Sequence, residues 1–109
     1  MHTVVETPGF LATARKAGMS DAERGAAVLL VSTNPEAGDF VVGGGGLRKI
    51  RVPRHGQGKS GGYRVLTYFM LHESPVYLVA ALSKSKQSNF KPEQIKQLAE
   101  MVKLIRDKR

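Results

Sequence analysis

The sequence predicts an α+β fold, with a small, mainly antiparallel sheet flanked by helices in the order β-α-α-β-β-β-α. Three observations lead there. Two short segments with helix punctuation come early, runs of β-forming residues fill the middle, and a long apolar repeat of helical spacing closes the chain. At 109 residues and 41% apolar content, residues 1–109 are expected to form one domain with a modest core.

His2 to Glu6 alternates weakly and is short, which suits an edge strand. Pro8 permits a helix to begin, with Phe10, Leu11 and Ala14 on one side. Gly18 ends it, because glycine tolerates the left-handed conformation after a helix. Ser20-Asp21-Ala22-Glu23 reads as a capping box, in which Ser20 and Glu23 satisfy the first free amides of a second helix. That helix runs to about Thr33, with Ala26, Ala27, Leu30 and Val31 as its expected apolar stripe. Asn34-Pro35 stops it.

Residues 35–46 form a connection that holds Phe40-Val41-Val42 and four consecutive glycines. The Gly43–Gly46 run is expected to set a tight turn or bulge. Leu47 to Val52 alternates. Leu47, Lys49 and Arg51 share one face, and Arg48, Ile50 and Val52 the other. Pro53 to Gly62 is expected to be a mobile basic loop. Tyr63–Leu71 and Val76–Leu82 are rich in β-formers, and Glu73-Ser74-Pro75 links them as an antiparallel hairpin. Pro92 suits the first position of a last helix. Its residues Ile95, Leu98, Ala99, Val102 and Ile105 should pack on the sheet.

Charge is uneven along this frame. The formal net charge is +8 and the sequence pI about 10.1. From Phe40 to His72 there are six Lys or Arg and no Asp or Glu. Such a surface attracts polyanions by steering and counterion release, which puts RNA first among partners. There is no cysteine, so disulfides, thiolate metal sites and cysteine nucleophiles are excluded. The three histidines, His2, His55 and His72, are scattered, and neither a bound metal nor another cofactor is expected. No apolar run approaches membrane-spanning length, and no signal-peptide pattern opens the chain. A cytoplasmic location without membrane association is expected.

Several motifs fall in register with these elements: Pro-x-Phe before the first helix, Ser-Asp-x-Glu before the second, and Asn-Pro-x-x-Gly-Asp after it. Then come Gly-Gly-Leu-Arg-Lys-Ile-Arg, Gly-x-Gly-Lys-x-Gly-Gly-x-Arg-Val and Leu82-Ser83-Lys84. Together they resemble the RelE/HigB family of type II toxins, most closely its HigB-like branch, over nearly the whole chain. The resemblance implies a ribosome-dependent messenger-RNA endonuclease that cuts in the ribosomal A site. It also implies a cognate helix-turn-helix antitoxin of the HigA type, through which alone operator DNA would be bound.

By the same resemblance, Lys49, Arg51 and Arg64 occupy positions of cationic active-site residues, and Lys84 closes the set from the end of the last strand. Lys59, Lys86, Arg48 and Arg54 are further candidates for RNA contact. RNA carries its own nucleophile, the 2′-hydroxyl, so cleavage needs alignment, a proton acceptor and charge stabilisation. A lysine crowded by other cations releases its proton more readily, which favours Lys49 as general base. His55 is the second candidate, because imidazole titrates near neutrality. The chain departs from the family in one region. An arginine soon after the last-strand lysine and an aromatic near the final turn are replaced by Ser85-Lys86-Gln87 and Asn89-Phe90-Lys91. Lys86 is the candidate replacement for that charge. Phe90 could stack on a base, but it is expected to plug the core before the helix, and Tyr68, Tyr77 and Tyr63 are expected to be packing residues.

Competing readings are weaker. Pro53–Ser60 resembles a phosphate-binding loop only in its second half, and a strand rather than a helix follows Lys59-Ser60. No segment combines a helix-turn-helix pattern with a basic recognition helix, so direct DNA binding is not expected. A non-catalytic basic module that holds RNA or the ribosome is the alternative function. Codon preference, antitoxin sequence and stoichiometry are not written in the chain.

Overall fold

The computed structural model describes residues 1–55, 62–70 and 74–108. Its elements are β1 (Val4–Glu6), α1 (Pro8–Ala17), α2 (Asp21–Thr33), β2 (Asp39–Phe40), β3 (Arg48–Val52), β4 (Tyr63–Phe69), β5 (Val76–Ser83) and α3 (Pro92–Asp107). The fold is α+β, with a five-stranded sheet in the order β1-β5-β4-β3-β2. β1 runs parallel to β5 and the other neighbours are antiparallel. The expected order is met with one addition. The connection after α2 contains the two-residue edge strand β2, too short to give a period in sequence.

Both early helices start and stop as their punctuation dictates. Thr7 caps α1 by accepting from the Phe10 N–H, and Gly18 leaves it at φ 85°. Thr7 also donates its hydroxyl to the Leu78 carbonyl at 2.8 Å, tying the cap to β5. The capping box of α2 is formed in both directions: Ser20 Oγ accepts the Glu23 N–H, and Glu23 Oε1 accepts the Ser20 N–H. The expected stripe of α2 needs correction. Ala27 and Val31 are buried, but Ala26 and Leu30 are exposed, and Glu23 joins the buried face instead. Positions 23, 27 and 31 are spaced by four, so the stripe is narrower than composition suggested.

The sheet has a core on each face. On one, Phe10, Ala14, Ala27 and Val31 of α1 and α2 pack on Ile50, Val52, Tyr63, Val65 and Leu78. On the other, Ile95 and Val102 of α3 pack on Leu47, Leu66, Tyr68 and Val79, with Phe90, Leu98 and Ile105 at the margin. The packing expected of Tyr63 and Tyr68 is therefore observed, and Tyr77 lies beside Tyr68 at 6.5 Å between ring centroids. The register shifts between Leu66 and Thr67 against β5. The glycine run makes the tight turn: Val41 N–H bonds the Leu47 carbonyl, and Gly44 N–H that of Val41. Gly46, at φ 108°, lies so close to the Tyr68 ring that a Cβ would stand 3.0 Å from it.

Glu23 ties this scaffold together. Its carboxylate accepts from the Ser20 N–H, the His55 N–H (2.8 Å) and the Tyr63 hydroxyl (2.9 Å), although the residue is 4% exposed. It thus joins the start of α2 to the chain just beyond β3 and to the first residue of β4. Burial pushes the carboxyl up, but these hydrogen bonds outweigh it and hold its pKa at about 2. Replacing Glu23 with Ala should cost about 2–3 kcal/mol in urea unfolding. A pH series should separate wild type from Glu23→Gln. A depressed carboxyl contributes fully above its unfolded value of 4.5 and loses that contribution as pH falls toward about 2. The stability gap between the two proteins should narrow across that window.

Candidate functional site

Strand pairing decides which side chains meet. Lys49 lies opposite Leu66, Arg51 opposite Arg64, and Asp39 opposite Lys49. Directly opposed residues share a face, so all three cations lie on the face that α3 packs against. Leu47 and Leu66 fill one end of that face under α3. At the other end the same alternation brings up Arg51 and Arg64. A cleft of about 400 Å³ at this edge of the sheet is bordered by Lys49, Arg51, Arg64 and Asp39, with Leu30, Ala37 and Ile50 from the α2 side among its walls.

Arg64 is the most constrained of the set. It is half-buried, and its Nη1 is out of contact with solvent and has no hydrogen-bond partner. Its directly opposed neighbour is another arginine, and opposed like charges destabilise a sheet. An orphaned buried donor costs about 1–3 kcal/mol more. Among the described residues no acceptor meets that nitrogen, and an anion between the two guanidiniums would offset both costs.

Lys49 is aimed by a residue to which the sequence assigns no role. Its Nζ donates to Asn89 Oδ1 at 3.1 Å, and the same oxygen accepts the Phe90 N–H. Asn89 is held in turn by Gln87, whose Nε2 donates to the Asn89 carbonyl and to Gln94 Oε1. The segment from β5 to α3 is therefore braced against the strand that carries Lys49. Gly38 completes the support from the other side. At φ 90° it lies so close to the Lys49 carbonyl that any Cβ would overlap it.

The remaining candidates are distributed differently. Lys84 follows β5 directly, and its N–H bonds the Gly62 carbonyl beside Arg64's strand; its side chain is exposed. Lys86 donates instead to the Lys16 carbonyl, in the last turn of α1 at 3.1 Å, where a cation meets the negative end of a helix. Arg48 lies on the opposite face with its guanidinium 4.3 Å from the Phe40 ring centroid. Arg54 is also turned away. Its Nε donates to the Tyr63 hydroxyl and it lies over that ring at 5.5 Å. His55 is anchored through its backbone to Glu23, on the side of α1 and α2. Lys59 lies outside the described residues. Among the described residues no group of three or more His, Asp or Glu is placed to hold a metal ion, and no helix is long and apolar enough to cross a membrane.

A cationic cleft on an α+β scaffold of this strand order agrees with what a comparison of families finds. The description "RelE toxin of RelE / RelB toxin-antitoxin system" matches residues 3–108. The chain belongs to the RelE toxin family. It is thus the toxin member of a toxin–antitoxin system, and the match spans every element of the RelE-type sheet and its helices.

Removing the Arg64 charge should stabilise the fold of this RelE-family chain. Arg64→Met relieves the opposed pair and the orphaned donor while keeping an unbranched apolar stem. It should raise the unfolding free energy by about 1 kcal/mol in urea titrations.

Proposed function

We propose that this toxin is a messenger-RNA endonuclease of the HigB-like branch, acting on a transcript held in the ribosomal A site of the cytoplasm. A helix-turn-helix antitoxin of the HigA type would neutralise it and carry any contact with operator DNA. The observation that supports catalysis best is the unpartnered Arg64 Nη1 beside Arg51. A half-buried cation with no counter-ion among the described residues is preorganised for charge that arrives with the substrate.

The chemistry needs only the transcript and these side chains. The 2′-oxygen attacks the adjoining phosphorus, a 2′,3′-cyclic phosphate forms, and the 5′-oxygen departs. Arg64 and Arg51 hold the phosphate and offset its growing negative charge. Lys49 takes the 2′-proton. As a neutral amine it can donate one N–H to Asn89 while its lone pair faces the hydroxyl, so Asn89 sets the direction of proton transfer. Lys84 lies at the end of the Arg64 strand pair, where it can supply a cation or proton to the departing oxygen. Among the described residues no paired imidazole is placed to assist, and the ribosome would contribute alignment of the substrate.

Purified protein incubated with translating ribosomes should produce new RNA 5′ ends. Arg64→Ala and Lys49→Ala should each lower the cleavage rate on the order of 10²–10³-fold while thermal melting stays cooperative. Ribosome occupancy without new ends in wild type would make the protein a binding module.

A further inference from the structure

We propose that Asp39, Asn89 and Phe90 form a nucleobase subsite beside Lys49, and that Asp39 selects guanine there. The inference rests on the RNA-cleaving reading above and names the base that accompanies the held phosphate.

Asp39 is the acid just before the long stretch without acids. Its register opposite Lys49 turns it toward the cations. Yet Lys49 Nζ bonds Asn89, and the exposed Asp39 carboxylate has no hydrogen-bond or ion-pair partner among the described residues. An unpaired carboxylate beside a phosphate-binding cleft opposes that cleft's electrostatics. Its presence is accounted for if it meets hydrogen-bond donors of the same ligand.

Two clefts meet at the Asp39–Lys49 pair. One is the cation cleft described above. The other, of about 740 Å³, lies between β2 and the start of α3, with Val41, Phe90 and Ile95 among its walls. A phosphate held by Arg64 and Arg51 therefore leaves its attached nucleoside beside an apolar slot. Phe40 also lines this slot and carries the Arg48 guanidinium on one side of its ring. Phe90 is half-buried at the margin of the α3 core and meets no other ring among the described residues, and single-stranded bases stack on such rings.

The polar groups at the slot have a definite polarity. Asp39 offers only acceptors. Asn89 Oδ1 is occupied by two donors, Lys49 Nζ and the Phe90 N–H, so its Nδ2 remains to donate. The slot thus presents a pair of acceptors and a donor. Guanine carries two adjacent donors, N1–H and the 2-amino group, next to the O6 acceptor. Adenine and cytosine each place a ring acceptor beside the amino group, and uracil has a single N–H between two carbonyls. Only guanine satisfies both oxygens of a carboxylate on this edge.

Cut sites should be mapped on a message library with translating ribosomes for wild type, Asp39→Asn and Phe90→Ala. Wild type should cut next to guanine at least ~10-fold faster than next to other bases. Asp39→Asn should lose roughly that factor at guanine and stay within about 2-fold elsewhere, with unchanged melting because the residue is exposed. Phe90→Ala should slow cutting beside every base. Unaltered base preference in Asp39→Asn would overturn the subsite. So would an equal loss at all bases with a shifted pH profile, which marks a proton acceptor. If wild type cuts nothing, the endonuclease reading fails, and titration with guanosine and adenosine 3′-monophosphates, followed by NMR, judges the subsite alone. Tighter guanosine binding that Asp39→Asn abolishes upholds it; equal binding in wild type overturns it.

Discussion

Leu66 and Arg64 point the same way from β4, and the step between them governs the molecule. One sheet face is apolar where α1 and α2 cover it. The other is apolar only as far as α3 reaches, and past that point the same pleat lifts Lys49, Arg51 and Arg64 into one cleft. The alternation of side chains thus builds the core and the cation cluster with one backbone. A slip of one residue in the β3–β4 pairing would bury the arginines and expose the leucines, so register is fixed as firmly by the core as the site requires. The cost of the cluster is met by the rest of the fold, as is common where function demands unpaired charge.

The face opposite the cleft explains why apparent cations differ in role. Around Glu23, the Tyr63 ring and its hydroxyl gather Arg54 and the backbone of His55 into a closed hydrogen-bonded group. These groups are spent on holding the chain on either side of residues 56–61. Lys86 is spent likewise on α1. Charge alone therefore does not mark a free cation: among the described residues Arg64 keeps a buried nitrogen with no acceptor, whereas Lys49 is held by Asn89.

Much of this was legible in the residues. Caps, glycine stops and the repeat in α3 announce themselves because they are local, and each falls where the sequence put it. The facing of Lys49 and Arg51 against Ile50 and Val52 follows from the two-residue period alone. What escaped was long-range. β2 exists only because Gly38 lets Asp39 reach β3, and two residues carry no period. Asn89 reaches Lys49 across forty positions of sequence. Glu23 read as a cap, and nothing in its neighbourhood foretold that its second oxygen would meet residue 55. Arg54 and Lys86 carried charge in the right region, but pairing, not charge, set where they went.

The Tyr63 oxygen is a crossroads for one hydrogen. Both Glu23 Oε1 and the Gly18 carbonyl, at 2.9 and 3.2 Å, stand ready to receive it, while Arg54 contributes its own from the other side. A phenol can serve one recipient at a time, and the carboxylate, being ionised, claims it. Once that carboxylate is neutralised, the hydrogen has somewhere else to turn. The junction can therefore swap recipients instead of breaking, and the α1 terminus becomes its reserve mooring.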